Sequence, residues 1–164
     1  MRRILFVLIA MICSFFSGCG VFGAPKFYDK TPVSYEYTYS GTMAHPIDWY
    51  SVKTEEGSVI ISYSHHSPEI TVIKAPDDLL EKIGAIARDA KLFKLKPGYR
   101  PKLHVLDGYG WDMLIRYPED YISSGGSNAW PSGNLRGGIN AINQLIKDVI
   151  ESTPEEAILR HEMR

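Results

Sequence analysis

Cysteine is almost missing from this chain of 164 residues: there are two, Cys13 and Cys19, and none follows. Residues 20–164 therefore form no internal disulfide and offer no thiol to a metal, a redox couple or a nucleophilic mechanism. An excess of one charge is also missing. The 18 Lys and Arg stand against 19 Asp and Glu, a net charge of −1. Without a basic surplus to neutralise phosphates, the composition speaks against nucleic-acid binding. No apolar run reaches the about 20 residues needed to span a bilayer. The longest, from Ile4 to Phe16, falls well short of that. Internal repeats, low-complexity tracts and a phosphate-cradling G-x-x-x-x-G-K-[ST] loop are absent from the sequence as well.

What is present begins at the amino terminus. Arg2 and Arg3 precede the uncharged stretch Ile4–Phe16, and the small residues Ser17 and Gly18 lead to Cys19. This order is that of a secretory signal segment. Phe16-Ser17-Gly18-Cys19 resembles the lipobox of bacterial lipoproteins, although Leu is commoner where Phe16 stands. The resemblance implies diacylglycerol transfer to the Cys19 thiol, cleavage after Gly18 and acylation of the new amino terminus by a fatty acid such as palmitate. It implies a protein held at the cell envelope by lipid. Gly20, rather than Asp, after the cysteine implies the outer membrane if the cell is Gram-negative. Two or three acyl chains anchor firmly where one alone is marginal. Removal of residues 1–18 leaves 146 residues and takes the net charge to −3, because Arg2 and Arg3 leave. That length suits one domain able to bury a core without staples.

Residues 19–32 read as the lipidated cysteine and a tether, 33–152 as the domain, and 153–164 as a short C-terminal helix or tail. From Val33 onward the pattern alternates. Tyr35, Tyr37 and Tyr39 fall on one strand face, and Glu36, Thr38 and Ser40 on the other. Ile47–Val52 and Ser58–Tyr63 flank Glu55-Glu56-Gly57, a hairpin signal, and Glu69–Lys74 alternates again. Pro76 to about Phe93 reads as a helix with acids Asp77, Asp78 and Glu81 in its first turns. Trp111–Tyr117 and Tyr121–Ser124 read as a hairpin, and Leu103–Leu106 as a short strand. Leu135, Ile139, Ile142, Ile146 and Val149 form an amphipathic stripe. Gly137 and Gly138 place the firm start of that helix nearer Ile139. Thr153-Pro154-Glu155-Glu156 has the form of a capping box opening a short terminal helix. The fold class expected is α+β: an antiparallel sheet with two main helices on one face, plus a short C-terminal helix.

Candidate chemistry is sparse. His65-His66 invites a metal, but strand neighbours point to opposite faces and no further ligands complete a set. Gly125-Gly126-Ser127-Asn128-Ala129 approaches the G-x-S-x-G elbow, yet only Asp148 and His161 follow it as triad partners in too short a remainder. The aromatic residues are more informative, since Tyr and Trp combine a flat apolar ring with a polar edge. Tyr35, Tyr37 and Tyr39 on one strand face, and Trp130 beside the glycine-rich loop, are the candidate ligand-binding residues. The runs Asp107 to Ile115 and Ser123 to Pro131 also resemble small bacterial proteins and lipoproteins of unknown function, which implies an α+β domain and transfers no catalytic residue. The sequence thus leads to a binding or interaction module at the envelope, with no cofactor or metal, taking another envelope protein or a glycan as partner. A small envelope hydrolase and a structural or inhibitor-like protein are the alternatives.

Overall fold

The computed structural model describes residues 26–41, 46–102 and 108–163. Cys19, the signal segment and the expected strand at 103–106 lie outside these residues. Among the described residues eight strands form one sheet: β1 (Ser34–Ser40), β2 (Pro46–Glu55), β3 (Ser58–His65), β4 (Glu69–Lys74), β5 (Gly98–Tyr99), β6 (Gly110–Arg116), β7 (Tyr121–Ser127) and β8 (Ile158–Met163). Their spatial order is β5-β7-β6-β1-β2-β3-β4-β8. The same described residues hold two α-helices, α1 (Leu79–Asp89) and α2 (Asn134–Ser152).

The β2–β3 hairpin closes as its sequence suggests. Glu56 and Gly57 both adopt positive φ, 50° and 81°, the combination that matches a tight turn to the twist of its strands. Antiparallel register places Tyr35 opposite Val52 and Ile115, and Tyr37 opposite Tyr50 and Met113. These residues share a face and enter one buried cluster with Ile61, Ile73, Leu79, Ile83, Ile139, Ile142 and Ile146. The helices touch where Gly138 meets Ala90 and Leu92: a Cβ there would lie 2.3 Å from that of Ala90.

The expected fold class needs correction in three respects. The sheet is mixed, because β5 pairs in parallel with β7 through Gly98–Gly125 and Tyr99–Gly126. The C-terminal segment is a strand and not a helix. Only Glu155–Ala157 make a 3-10 turn before β8 pairs along β4. A helix of about ten residues is marginal on its own, whereas β4 offers unpaired backbone groups. Arg160–Glu55 at 2.8 Å and His161–Glu69 at 3.0 Å then fix β8 at the edge. Finally, an antiparallel sheet with two main helices on one face does not describe this sheet-dominated molecule. Ile60, Ser62, Ser64 and Val72 point away from Ile61 and Ile73 and are also buried.

The core also begins earlier than residue 33. Tyr28 is fully buried, its hydroxyl donating to the Ala87 carbonyl at 2.5 Å and accepting from the Phe93 N–H at 3.1 Å. The first helix is shorter than expected, ending at Asp89 before a separate 3-10 turn at Leu92–Lys94. The second is longer, since it includes Gly137 and Gly138.

Candidate functional site

A cleft of about 570 Å³ opens between the Tyr face of β1–β2 and helix α2. That size lies in the range of small-ligand sites, about 300–1,000 Å³. Tyr37 and Tyr39 of β1, with Asp48 and Tyr50 of β2, form its floor. The sheet supplies them because Tyr37 pairs with Tyr50 and Tyr39 with Asp48 across the ladder. Its wall is a second stripe of α2, Arg136, Asn140, Asn143, Gln144 and Lys147, running beside the buried stripe Ile139, Ile142, Ile146. Helical spacing of three and four keeps both stripes straight.

The floor and wall are joined by hydrogen bonds. Tyr35, beneath the floor, donates its hydroxyl to Asn143 Oδ1 at 2.6 Å. That bond decides which end of the amide faces the cleft, leaving the N–H donors to reach the Tyr37 hydroxyl. Asp48, whose side chain is only 15% exposed, accepts from His65 Nδ1 at 2.6 Å and Lys147 Nζ at 3.4 Å. It also hydrogen-bonds the Tyr50 hydroxyl. Burial first, and then the Asp48 charge, push the Tyr37 and Tyr50 phenols well above their usual range. Both therefore remain neutral hydroxyls that donate and accept.

The rim is aromatic. Ring centroids step from Tyr39 to Tyr109 at 6.0 Å, to Trp130 at 6.1 Å and then inward to the fully buried Trp111 at 4.7 Å, the two tryptophans lying 3° from parallel. The Arg136 guanidinium sits 5.3 Å from the Trp130 ring. Glycines allow this stack. A Cβ on Gly126 would lie 2.3 Å from both Trp111 Nε1 and the Ala129 carbonyl, the two atoms that hydrogen-bond at 2.8 Å. Asn128, at φ 51°, bonds Tyr109 twice, accepting from its N–H through Oδ1 and donating its own N–H to its carbonyl, both at 2.9 Å. The glycine-rich run is thus the seat of Trp130.

Of the sequence candidates, Tyr37, Tyr39 and Trp130 come together in the cleft. Tyr35 shares their strand face but is fully buried, so it orients Asn143 and meets no ligand. Trp130 is half-buried in a stack and presents an edge, not a free face. Ser127 lies at the end of β7 and His161 in β8. Six strand spacings separate those strands in the sheet order, about 29 Å at about 4.8 Å each, which rules out a triad. His65 and His66 stack edge to face, and among the described residues no three His, Cys, Asp or Glu gather around a metal position. Asp77, Asp78 and Glu81 are exposed at the start of α1, where Asp78 pairs with Lys82 at 2.9 Å.

Sequence reasoning missed Asp48, Tyr50, Tyr109 and the whole polar wall of α2. The wall carried a readable signal, since Arg136, Asn140, Asn143 and Lys147 recur every three or four residues beside the apolar stripe. The His65–Asp48 pair has the geometry that orients a general base. Among the described residues, however, no hydroxyl or thiol is hydrogen-bonded to His65. The fold and site together define a sheet-dominated domain with an amide-and-hydroxyl cleft under an aromatic rim. Known protein families offer no model that matches the chain, and no curated protein matches it.

Proposed function

We propose that this protein is a non-enzymatic envelope lipoprotein, anchored through lipid on Cys19, whose α2 cleft binds a glycan. The observation that carries the reading is the chemistry of the cleft. Neutral phenols, carboxamides and one fixed carboxylate stand on floor and wall, and the edges of stacked rings stand at the rim. A sugar presents the complement to that floor and wall: hydroxyls that both donate and accept. The pre-set orientation of Asn143 and Asp48 lowers the ordering cost that binding would otherwise incur. Asn140 and Gln144 are exposed on the wall, so they can meet ligand without supporting the fold. The N-terminal signal and lipobox pattern supports an extracytoplasmic address, the outer membrane in a Gram-negative cell, where polysaccharide is abundant.

Two measurements test the reading. Metabolic labelling with a clickable fatty acid is expected to mark the chain and to fail on Cys19→Ser; equal marking of both refutes the anchor. Screening the chain on an oligosaccharide array that includes soluble peptidoglycan fragments is expected to give a hit that Asn140→Ala weakens by about tenfold, the effect of about 1.4 kcal/mol. An array without hits, or one whose hits ignore both Asn140→Ala and Gln144→Ala, refutes the glycan cleft.

A further inference from the structure

Charge is distributed unevenly along the cleft, whose lining includes Asp48, Arg136 and Lys147. At one end it is balanced. Asp48 accepts from Lys147 Nζ at 3.4 Å and from His65 Nδ1 at 2.6 Å, and Glu151, one helical turn beyond Lys147, lines the adjoining hollow with them. Arg136 stands at the other end of the wall, about 16 Å from residue 147 along the α2 axis at about 1.5 Å per residue. There the charge has no counterpart. The helical neighbours Ile139 and Asn140 are uncharged, as are Ser132 and Gly133 before the helix. Among the described residues Arg136 forms no ion pair.

The guanidinium is nonetheless held in place. It lies 5.3 Å from the Trp130 ring, and Trp130 is stacked on the buried Trp111 at 4.7 Å. A planar cation resting on a fixed ring keeps its fork of N–H donors oriented. That fork matches the two oxygens of a carboxylate. Asn140, four residues on, projects from the same stripe of α2 and offers an amide that both donates and accepts. In the next turn Gln144 Nε2 donates to Asp148 Oδ1 at 2.8 Å, which leaves Gln144 Oε1 as an acceptor for a hydroxyl. From Arg136 to Gln144 the wall therefore presents a carboxylate partner followed by hydroxyl partners.

We infer that the cleft takes an acidic glycan, a sugar bearing a carboxylate, with that carboxylate on Arg136 and its ring hydroxyls on Asn140 and Gln144. The inference rests on the glycan reading proposed above and adds the charge of the ligand to it. It also gives the ligand a direction. A carboxylate laid at the opposite end would meet Asp48 and Glu151, and like charges brought together oppose binding. Arg136 is exposed before the ligand covers it, so water screens part of the attraction and the gain is moderate.

The test is isothermal titration calorimetry of the full chain with matched pairs of sugars. Oligogalacturonate, oligoglucuronate and a muramic-acid-containing peptidoglycan disaccharide are each compared as the free acid and as the methyl ester, which keeps the rings and hydroxyls and removes the charge. At least one acid is expected to bind about tenfold more tightly than its ester, the effect of about 1.4 kcal/mol. Arg136→Gln is expected to bring that ratio down to about one, while Arg136→Lys, which keeps the charge without the fork, retains part of it. Lys53→Gln, on the opposite face of β2 from Asp48 and Tyr50, is expected to leave the ratio unchanged. Arg136 is exposed, so its replacement leaves the core intact. Esters that bind as tightly as their acids overturn the inference and leave the glycan cleft standing. A preference for the acid that persists in Arg136→Gln places the carboxylate elsewhere and overturns it as well. If neither member of any pair binds, the glycan reading fails and the inference falls with it.

Discussion

At the scale of single residues, two buried tyrosines that look alike in sequence have opposite consequences. The Tyr35 hydroxyl reaches Asn143 across 108 positions of chain. Tyr35→Phe removes the donor and leaves the amide oxygen short of a partner, at a cost of about 1 kcal/mol. It also frees Asn143 to turn, so ligand affinity is expected to fall together with the denaturant midpoint. Tyr117 has a buried hydroxyl with no hydrogen-bond partner among the described residues. Tyr117→Phe exchanges an unpaired polar atom for hydrogen, and the midpoint is expected to stay or rise. Equal destabilisation by both variants would contradict this assignment. The alternation of Tyr35, Tyr37 and Tyr39 put all three on one face from sequence alone. That Tyr35 lies under the floor while Tyr37 lines it depends on where α2 comes to rest, which no local pattern encodes.

At the scale of elements, α2 offers an internal control in adjacent glycines. Among the described residues a Cβ on Gly137 would meet nothing within 4 Å, whereas one on Gly138 would meet Ala90 at 2.3 Å and Leu92 at 3.1 Å. Gly137→Ala is therefore expected to stabilise the protein by up to about 1 kcal/mol through helix propensity. Gly138→Ala is expected to destabilise it by about 1–3 kcal/mol through overpacking between α1 and α2. Thermal unfolding of the two variants checks the sign of each. Treating the glycines as equivalent interruptions set the helix start too late, because only the partner helix distinguishes them. The C-terminal segment failed for a related reason. Its capping-box residues are local, but the free edge of β4 and the Glu55 and Glu69 carboxylates that meet β8 are distant in sequence. The hairpin at Glu56-Gly57 was legible because turn chemistry there is local.

At the scale of the whole molecule, the buried phenols set an alkaline limit. Burial pushes Tyr28, Tyr35, Tyr37 and Tyr50 well above their usual range, and Tyr117 up to about 12. An unfolded chain releases these protons near pH 10 while the folded one holds them. Above that pH the unfolded state binds fewer protons, so stability falls as pH rises. The phenols exert their full stabilising effect below about pH 10 and lose it through about pH 12. The share of phenolate absorbance that belongs to these five of the ten tyrosines is expected to appear in one cooperative step with loss of tertiary circular dichroism. A gradual rise to the absorbance of all ten phenolates, with no unfolding, would contradict the burial of these rings. The same tyrosines thus join core and cleft, so the site rests on buried positions of β1 and β2.

The occupancy of the cleft can be read directly from side-chain amide and indole N–H resonances while a glycan hit from the array is titrated in. The expected result is saturable shifts of Asn140, Asn143, Gln144 and the Trp130 indole, with Asn134 at the start of α2 unmoved. Shifts confined to residues outside this set, or binding that leaves all four in place, would contradict a ligand site between α2 and the tyrosine face.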